Sequence, residues 1–260
     1  MSRPDSIAPI IVRDLSMAYG SRLIQQGLNF EIQRGEIFVI MGGSGCGKST
    51  LLRHLIGLQA PAKGQVLIQG QDFWAGDEAS RRLLQRRFGV LFQSGALWSS
   101  MTLNENVSLI IEQHCPELKP AEIAELAAFK LALVGLRGFD DYYPSEISGG
   151  MKKRAGLARA LAVDPQILFI DEPSAGLDPI SSKNLDELIL ALRDSLGATV
   201  VMVTHELPSI FGIADRAVFL DAKTKTQLAL GAPRELLAHG GPQLREFLSR
   251  GETEMEASKA

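Results

Sequence analysis

The stretch "GGSGCGKST", Gly42 to Thr50, packs four glycines, a lysine and three hydroxyls into nine residues. It fits G-x-x-x-x-G-K-[ST] and follows the apolar run "EIFVIM" (36–41), the strand-then-loop context that makes the pattern specific. Glycines let the chain curl so that the N–H groups of Gly42, Gly43, Ser44, Gly45, Cys46 and Gly47 surround phosphate oxygens. Lys48 then reaches the terminal phosphates, Ser49 offers its hydroxyl to magnesium, and Thr50 closes the stretch expected to bind the nucleotide. A second polar group comes from "ILFIDEP" (167–173), an apolar run ending in two acids. Asp171 suits the magnesium shell, and Glu172 suits orienting and deprotonating an attacking water.

Further polar groups are delivered by the same kind of run. Gln93 follows "FGVLF" and His205 follows "ATVVMV", places where a γ-phosphate sensor or water-positioning group is useful. Tyr19 in "MAYGS" either stacks on a purine or packs ordinarily. Cys46, beside a helix start, is expected to have a lowered thiol pKa if solvent reaches it, with a shielded, inert thiol as the alternative. "EISGGMKKRAGLARAL" (146–161) opens a basic helix with Ser148, Gly149 and Gly150, a second ready anion site. Its four cations, Lys152, Lys153, Arg154 and Arg159, read as a solvated face, and no aromatic residue is interleaved to stack bases. Together with a net charge of -3, this excludes a nucleic-acid partner.

The elements that must position these groups follow from periodicity. Short apolar runs at 36–41, 65–70, 88–92, 166–170, 198–203 and 216–221 read as buried strands. Helical spacing appears at 48–58, 120–134, 149–162, 182–196 and 232–239. Alternating strands and helices predict a largely parallel sheet covered on both faces. The interval from about 96 to 164 is strand-poor and reads as an inserted helical subdomain. Within it, Leu97, Trp98, Met101 and Leu103 are large apolar residues in a loop-rich stretch that needs a cover. Residues 240–260 read as a short amphipathic piece (Leu244, Phe247, Leu248) and then a disordered acidic tail. Two cysteines exclude a disulfide framework, "MSRPDSIAPIIVRDL" lacks an apolar leader core, and no apolar run is long enough for a bilayer span.

Six motifs in order, Tyr19, the phosphate loop, Gln93, "ISGGM", "ILFIDEPSAGLD" and His205, resemble the ATP-binding subunits of ABC transporters over roughly residues 8 to 230. The resemblance implies an α/β P-loop NTPase cassette with a mostly parallel core sheet and an N-terminal antiparallel β region. It implies one domain over 8–230, with the helical subdomain (about 96–164) inserted in it, and a C-terminal extension over 231–260. ATP and Mg2+ are the expected cofactors. Gln93 would join Ser49 and Asp171 around the metal, with Asp178 among the nucleotide-binding residues. Two subunits would pair head to tail, so that Ser148, Gly149 and Gly150 of one complete the ATP site on the phosphate loop of the other. Ile147 and Met151 depart from the family's L-S-G-G-Q, and Met151 removes an amide that could help position the loop.

A narrower resemblance is to bacterial phospholipid-transporter ATPases of the MlaF type. It rests on "GALWSSMTLNENV", "SGGMKKRAGLARAL", "DEPSAGLDPI", "VTHELPSIFGIADR" and "GAPRELLAHGGPQLREFLSRG". It implies a peripheral protein on the cytoplasmic face of the inner membrane. The partners would be a second copy, an integral-membrane lipid permease, an MCE-domain lipid-binding protein and a small STAS-domain subunit. The alternatives are the ATPase of another ABC importer and a soluble ABC ATPase.

Overall fold

The computed structural model describes residues 8–257, with side chains through Ser249. Residues 1–7, where no apolar leader core was expected, and residues 258–260 of the expected tail lie outside the described residues.

The large sheet is explained by period-two alternation. Its strands are β3 (Ile37–Gly42), β6 (Phe88–Leu91), β7 (Ile167–Asp171), β8 (Thr199–Val203), β9 (Arg216–Asp221) and β10 (Thr226–Gly231). Their order is β10-β9-β3-β8-β7-β6, all parallel except the β10 edge. Because both faces are covered, the strands read as unbroken apolar runs, yet alternate residues enter different cores. Val39, Ile170, Met202 and Phe219 point into one core. Ile40, Phe169, Val201 and Val218 point into the other.

The first core is closed by α3 (Leu103–His114), α4 (Pro120–Leu133), α5 (Gly149–Ala160), α6 (Pro179–Leu196) and α7 (Leu207–Ile213). The second is closed by α1 (Lys48–Leu55) and a small antiparallel sheet of order β2-β1-β4-β5. Its strands are β1 (Ile10–Tyr19), β2 (Arg22–Ile32), β4 (Lys63–Ile68) and β5 (Gln71–Asp72). Phe30 of this sheet stacks on Phe38 of the large one, with centroids 5.4 Å apart. Burying each such side chain contributes roughly 1.5–3 kcal/mol. The consequence for the site is that α1 is clamped between two sheets, so its N-terminus is fixed.

Three expectations change. The run at 65–70 is β4, which pairs antiparallel with β1 instead of joining the parallel sheet. A short apolar run cannot reveal its partner. The helix α2 (Glu78–Gln85), capped by Asp77, lay between the expected elements. At the C-terminus, α8 (Pro233–His239) is followed by α9 (Pro242–Ala257), a helix that continues past the amphipathic piece where a disordered tail was expected. Leu244 and Leu248, four residues apart, are buried in the first core and seed that helix.

Candidate functional site

Every parallel strand ends at the same edge of the large sheet, and the site is built there. β3 ends at Gly42 with φ 148°. A Cβ at Gly42 would lie 2.4 Å from the Leu220 carbonyl oxygen and 2.7 Å from Cys46 Sγ, so only glycine can make this exit. The loop closes at Gly47, the N-cap of α1, where no side chain caps the helix and no acid occupies the first turn. Such a helix start favours an anion. Lys48 Nζ curls over the loop, donating to the carbonyls of Gly42 (3.0 Å) and Gly43 (3.2 Å).

The acids arrive from β7. Asp171 accepts from Ser49 Oγ at 3.4 Å. Burial, then the neighbouring Glu172 charge, pushes its carboxyl above the ordinary aspartate value. A hydroxyl and a carboxylate this close are hard oxygen donors of the kind magnesium takes, with water and phosphate completing the shell. Glu172 has φ 46°, a left-handed backbone that a non-glycine residue holds only when its surroundings over-determine it. Its N–H donates to the Val203 carbonyl at 2.8 Å. His205 Nδ1 sits 2.9 and 2.8 Å from the two carboxylate oxygens of Glu172, which aims that carboxylate.

These groups wall a cavity of about 790 Å³. It brings together Gly42, Gly43, Ser44, Gly45, Gly47, Lys48, Ser49 and Thr50 with Gln93, Glu172 and His205. Gln93 also borders a neighbouring cavity of about 590 Å³ that contains Asp171. Tyr19 stands outside both. Its hydroxyl is held by Thr50 and by Arg53 (3.2 Å), which lowers its pKa, while the residue stays 46% exposed. Asp178 serves as the N-cap of α6, accepting from the N–H groups of Ile180 and Ser181, and its carboxyl is lowered chiefly by the Ser181 hydroxyl.

Ser148, Gly149 and Gly150 are not gathered into this cavity. Ser148 caps α5 by accepting from Met151 N–H at 3.2 Å, and with Gly150 it borders a separate cavity of about 420 Å³. Met151 is partly buried and packs against the first core.

Cys46 is corrected. It is 1% exposed, and burial raises its thiol pKa instead of lowering it. The helix-start argument needs solvent at the sulfur, and Sγ is tucked under Gly42. A bulky maleimide is therefore expected to leave Cys46 unlabelled in the folded protein, with or without Mg-ATP, and to label it after denaturation. Fast labelling of the native chain at this thiol would sink that expectation.

The solvated reading of the basic run also fails in part. Lys153 is 7% exposed, and Arg159 donates to the carbonyls of Gly95 (3.3 Å) and Ala96. Both belong to the sheet-facing side of α5. Two other contributors were missed. Gln25, fully buried, donates from Nε2 to the carbonyls of Cys46 (2.7 Å) and Asp221 (2.9 Å), bracing the phosphate loop from below. Phe247 of α9 walls the cavity and packs edge-on against Phe219. A polar residue in a buried strand was the available signal for Gln25; Phe247 had none beyond its amphipathic spacing.

The ABC transporter family pattern matches residues 25–175. MlaF, the intermembrane phospholipid transport system ATP-binding protein of Escherichia coli K12, is 39% identical over 244 residues, covering 94% of this chain and 90% of the relative. A probable ribonucleotide transport ATP-binding protein of Mycobacterium leprae is 41% identical over 241 residues, covering 92% of this chain and 68% of the relative. The chain thus spans about two thirds of the mycobacterial protein's length. Among solved structures, a dimeric ATP-binding cassette in a post-hydrolysis state with ADP and phosphate has a TM-score of 0.78. It is 28% identical and covers 86% of this chain and 98% of its own. Because the likeness runs through the phosphate loop, the acid pair and most of the remaining chain, this protein belongs to the ABC transporter family as one of its ATP-hydrolysing, ATP-binding subunits.

Proposed function

We propose that the chain powers phospholipid transport between inner and outer membranes. It would sit peripherally on the cytoplasmic face of a bacterial inner membrane. Its working form would contain a second copy of itself, a separate integral-membrane lipid permease, an MCE-domain lipid-binding protein and a small STAS-domain subunit. The observation that carries this reading is the breadth of the match to MlaF, which covers nine tenths of both chains. The membrane part would come from other chains, since among the described residues no helix is long and apolar enough to cross a bilayer. Ribonucleotide transport is the second reading, favoured by the 41% identity to the mycobacterial relative. We read 8–230 as the ATP-binding domain, 96–164 as its inserted helical unit and 231–260 as an extension.

In the proposed reaction the N–H groups of the phosphate loop and Lys48 hold the terminal phosphates. Ser49, Asp171 and Gln93 would hold a magnesium ion, which would supply charge neutralisation for phosphoryl transfer. Glu172 takes the proton of the attacking water while His205 keeps its carboxylate aimed. Tyr19 offers its exposed ring to the base. Asp178 supports the nucleotide face by fixing the start of α6.

A pull-down from detergent-solubilised membranes, with partners and bound small molecules identified by mass spectrometry, tests the assignment. Phospholipid with an MCE protein supports it. Ribonucleotide with another partner set favours the second reading, and recovery only in the soluble fraction overturns both.

Docking on the permease has its own prediction. Of the four apolar residues after Gln93, Leu103 is fully buried and Leu97 packs on the first core, whereas Trp98 is 59% exposed. The buried Asn106 side chain accepts from Trp98 N–H (2.7 Å) and donates to the carbonyls of Trp98, Met101 and Thr102. A large aromatic on a rigid loop is suited to be a binding anchor. Trp98→Ala should leave the chain folded and weaken permease association by about 2 kcal/mol, ~30-fold. Equal co-purification and equal stimulation of ATPase activity by the permease would remove Trp98 from the interface.

A further inference from the structure

The inward-facing cations of α5 join parts of the site that the sequence keeps far apart. Lys153 lies in the second turn of the helix capped by Ser148. Its Nζ donates to the carbonyl oxygen of Gln93 and to that of Glu172 at 3.3 Å. Gln93 follows β6 and Glu172 follows β7, strands that pair side by side. One ammonium therefore ties together the loops that leave two adjacent strands. Farther along α5, Arg159 holds the carbonyls of Gly95 and Ala96. Between the two cations, a Cβ on Gly156 would lie 2.9 Å from the Gly95 carbonyl oxygen and 2.8 Å from Leu91 Cδ1. Residues 93–96 are thus laid along the helix and held at both ends.

A buried ammonium is costly unless its donors are used. Burial lowers the Lys153 pKa, and the carboxylates of Asp171 and Glu172 oppose that shift. Lys153 is buried and does not itself line the cavity; it reaches only the backbone behind two residues that do. What it does hold is a residue with a left-handed backbone. Glu172 at φ 46° is gripped through its N–H by Val203, through its carbonyl by Lys153 and through its carboxylate by His205. Losing one grip frees the carboxylate to drift, and a drift of about 1 Å can cost on the order of 10²-fold in rate.

We propose that Lys153 is a positioning residue for ATP hydrolysis, holding Glu172 and Gln93 in register with each other and with α5. A consequence rests on the shared-site reading. The N-terminus of α5 serves the partner's ATP, so the same helix transmits closure of that face to the chain's own base.

The test uses Lys153→Met, which fills the space without donors, and Lys153→Gln, which keeps an N–H donor without charge. Both are made in the full chain and assayed in the assembled complex. Lys153→Met should lower kcat by about tenfold to a hundredfold. Its KM for ATP and its melting temperature should stay close to the parent values. Lys153→Gln should bring kcat back to within about threefold of the parent, because the carbonyls regain a donor. Three outcomes overturn the proposal. One is a Met variant that hydrolyses within about twofold of the parent, where loss of this grip should cost far more. Another is a loss spread equally over kcat, KM and melting temperature in both variants. The third is a Met variant that does not fold, which would make Lys153 a scaffold residue. Each measurement reads the mutated chain's own base, so a failure here is distinct from a failure of the shared-site reading, which mixed dimers test.

Discussion

Glu172→Gln is expected to retain ATP and to lose hydrolysis by at least 10²-fold, the lower end of what a general base contributes. The substitution keeps the shape of the side chain and an oxygen for His205 Nδ1 while removing the site that accepts the proton. Nothing in the phosphate grip changes, since Lys48, Ser49 and the loop N–H groups are separate from Glu172. ATP should therefore bind and persist, and the closed dimer should accumulate. Lys48→Ala should fail differently, because it removes the ammonium that lies over the phosphate loop and weakens binding itself. The comparison is made in the assembled complex, with bound nucleotide counted alongside turnover. Turnover within about tenfold of the parent in the Glu172 variant would be too small a loss for removal of the base, and would move that role elsewhere.

What could be read in the sequence was whatever depends on neighbours along the chain. The phosphate loop is legible because a strand, a glycine-rich turn and a helix start are contiguous, and Gly42 and Gly47 adopt backbones suited to glycine. The strands at 88–91, 167–171, 199–203 and 216–221 lie within a residue of their apolar runs, because burial on both faces leaves little else to pattern. Reading failed where a side chain's fate is decided by a partner distant in sequence. Lys153 is a basic residue like its half-buried neighbours Lys152 and Arg154, and only the docking of α5 on β6 sends it inward. Gln25 meets Asp221 across 196 positions. Cys46 was misjudged because proximity to a helix start was weighed without the roof that Gly42 places over the sulfur. The run at 65–70 looked like its parallel counterparts because partner identity is not written in a hexapeptide.

Mixed dimers carry the second large effect. Ser148 and Gly150 border a cavity apart from the one built on Lys48, so within one chain the starts of α5 and α1 do not share a wall. If two chains pair head to tail, Ser148, Gly149 and Gly150 of one would cap the γ-phosphate held by the other. Phosphoryl transfer depends on positioning and charge stabilisation, and losing one donor to the developing charge typically costs on the order of 10²–10³ in rate. Ser148→Ala should fall in that range, with ATP binding less affected. Ser148→Arg should be worse in the symmetric dimer, because its bulk holds the faces apart. Now pair a chain carrying Lys48→Ala with a chain carrying Ser148→Arg. With shared sites, both lesions fall on one composite site, and the other retains an intact Lys48 and an intact Ser148. One competent site should survive, seen as one trapped nucleotide per dimer, with turnover measured alongside because coupling between sites can suppress it. With sites confined to single chains, each chain carries one lesion and no competent site remains. A mixed dimer that traps no nucleotide and shows no turnover would therefore refute the head-to-tail site.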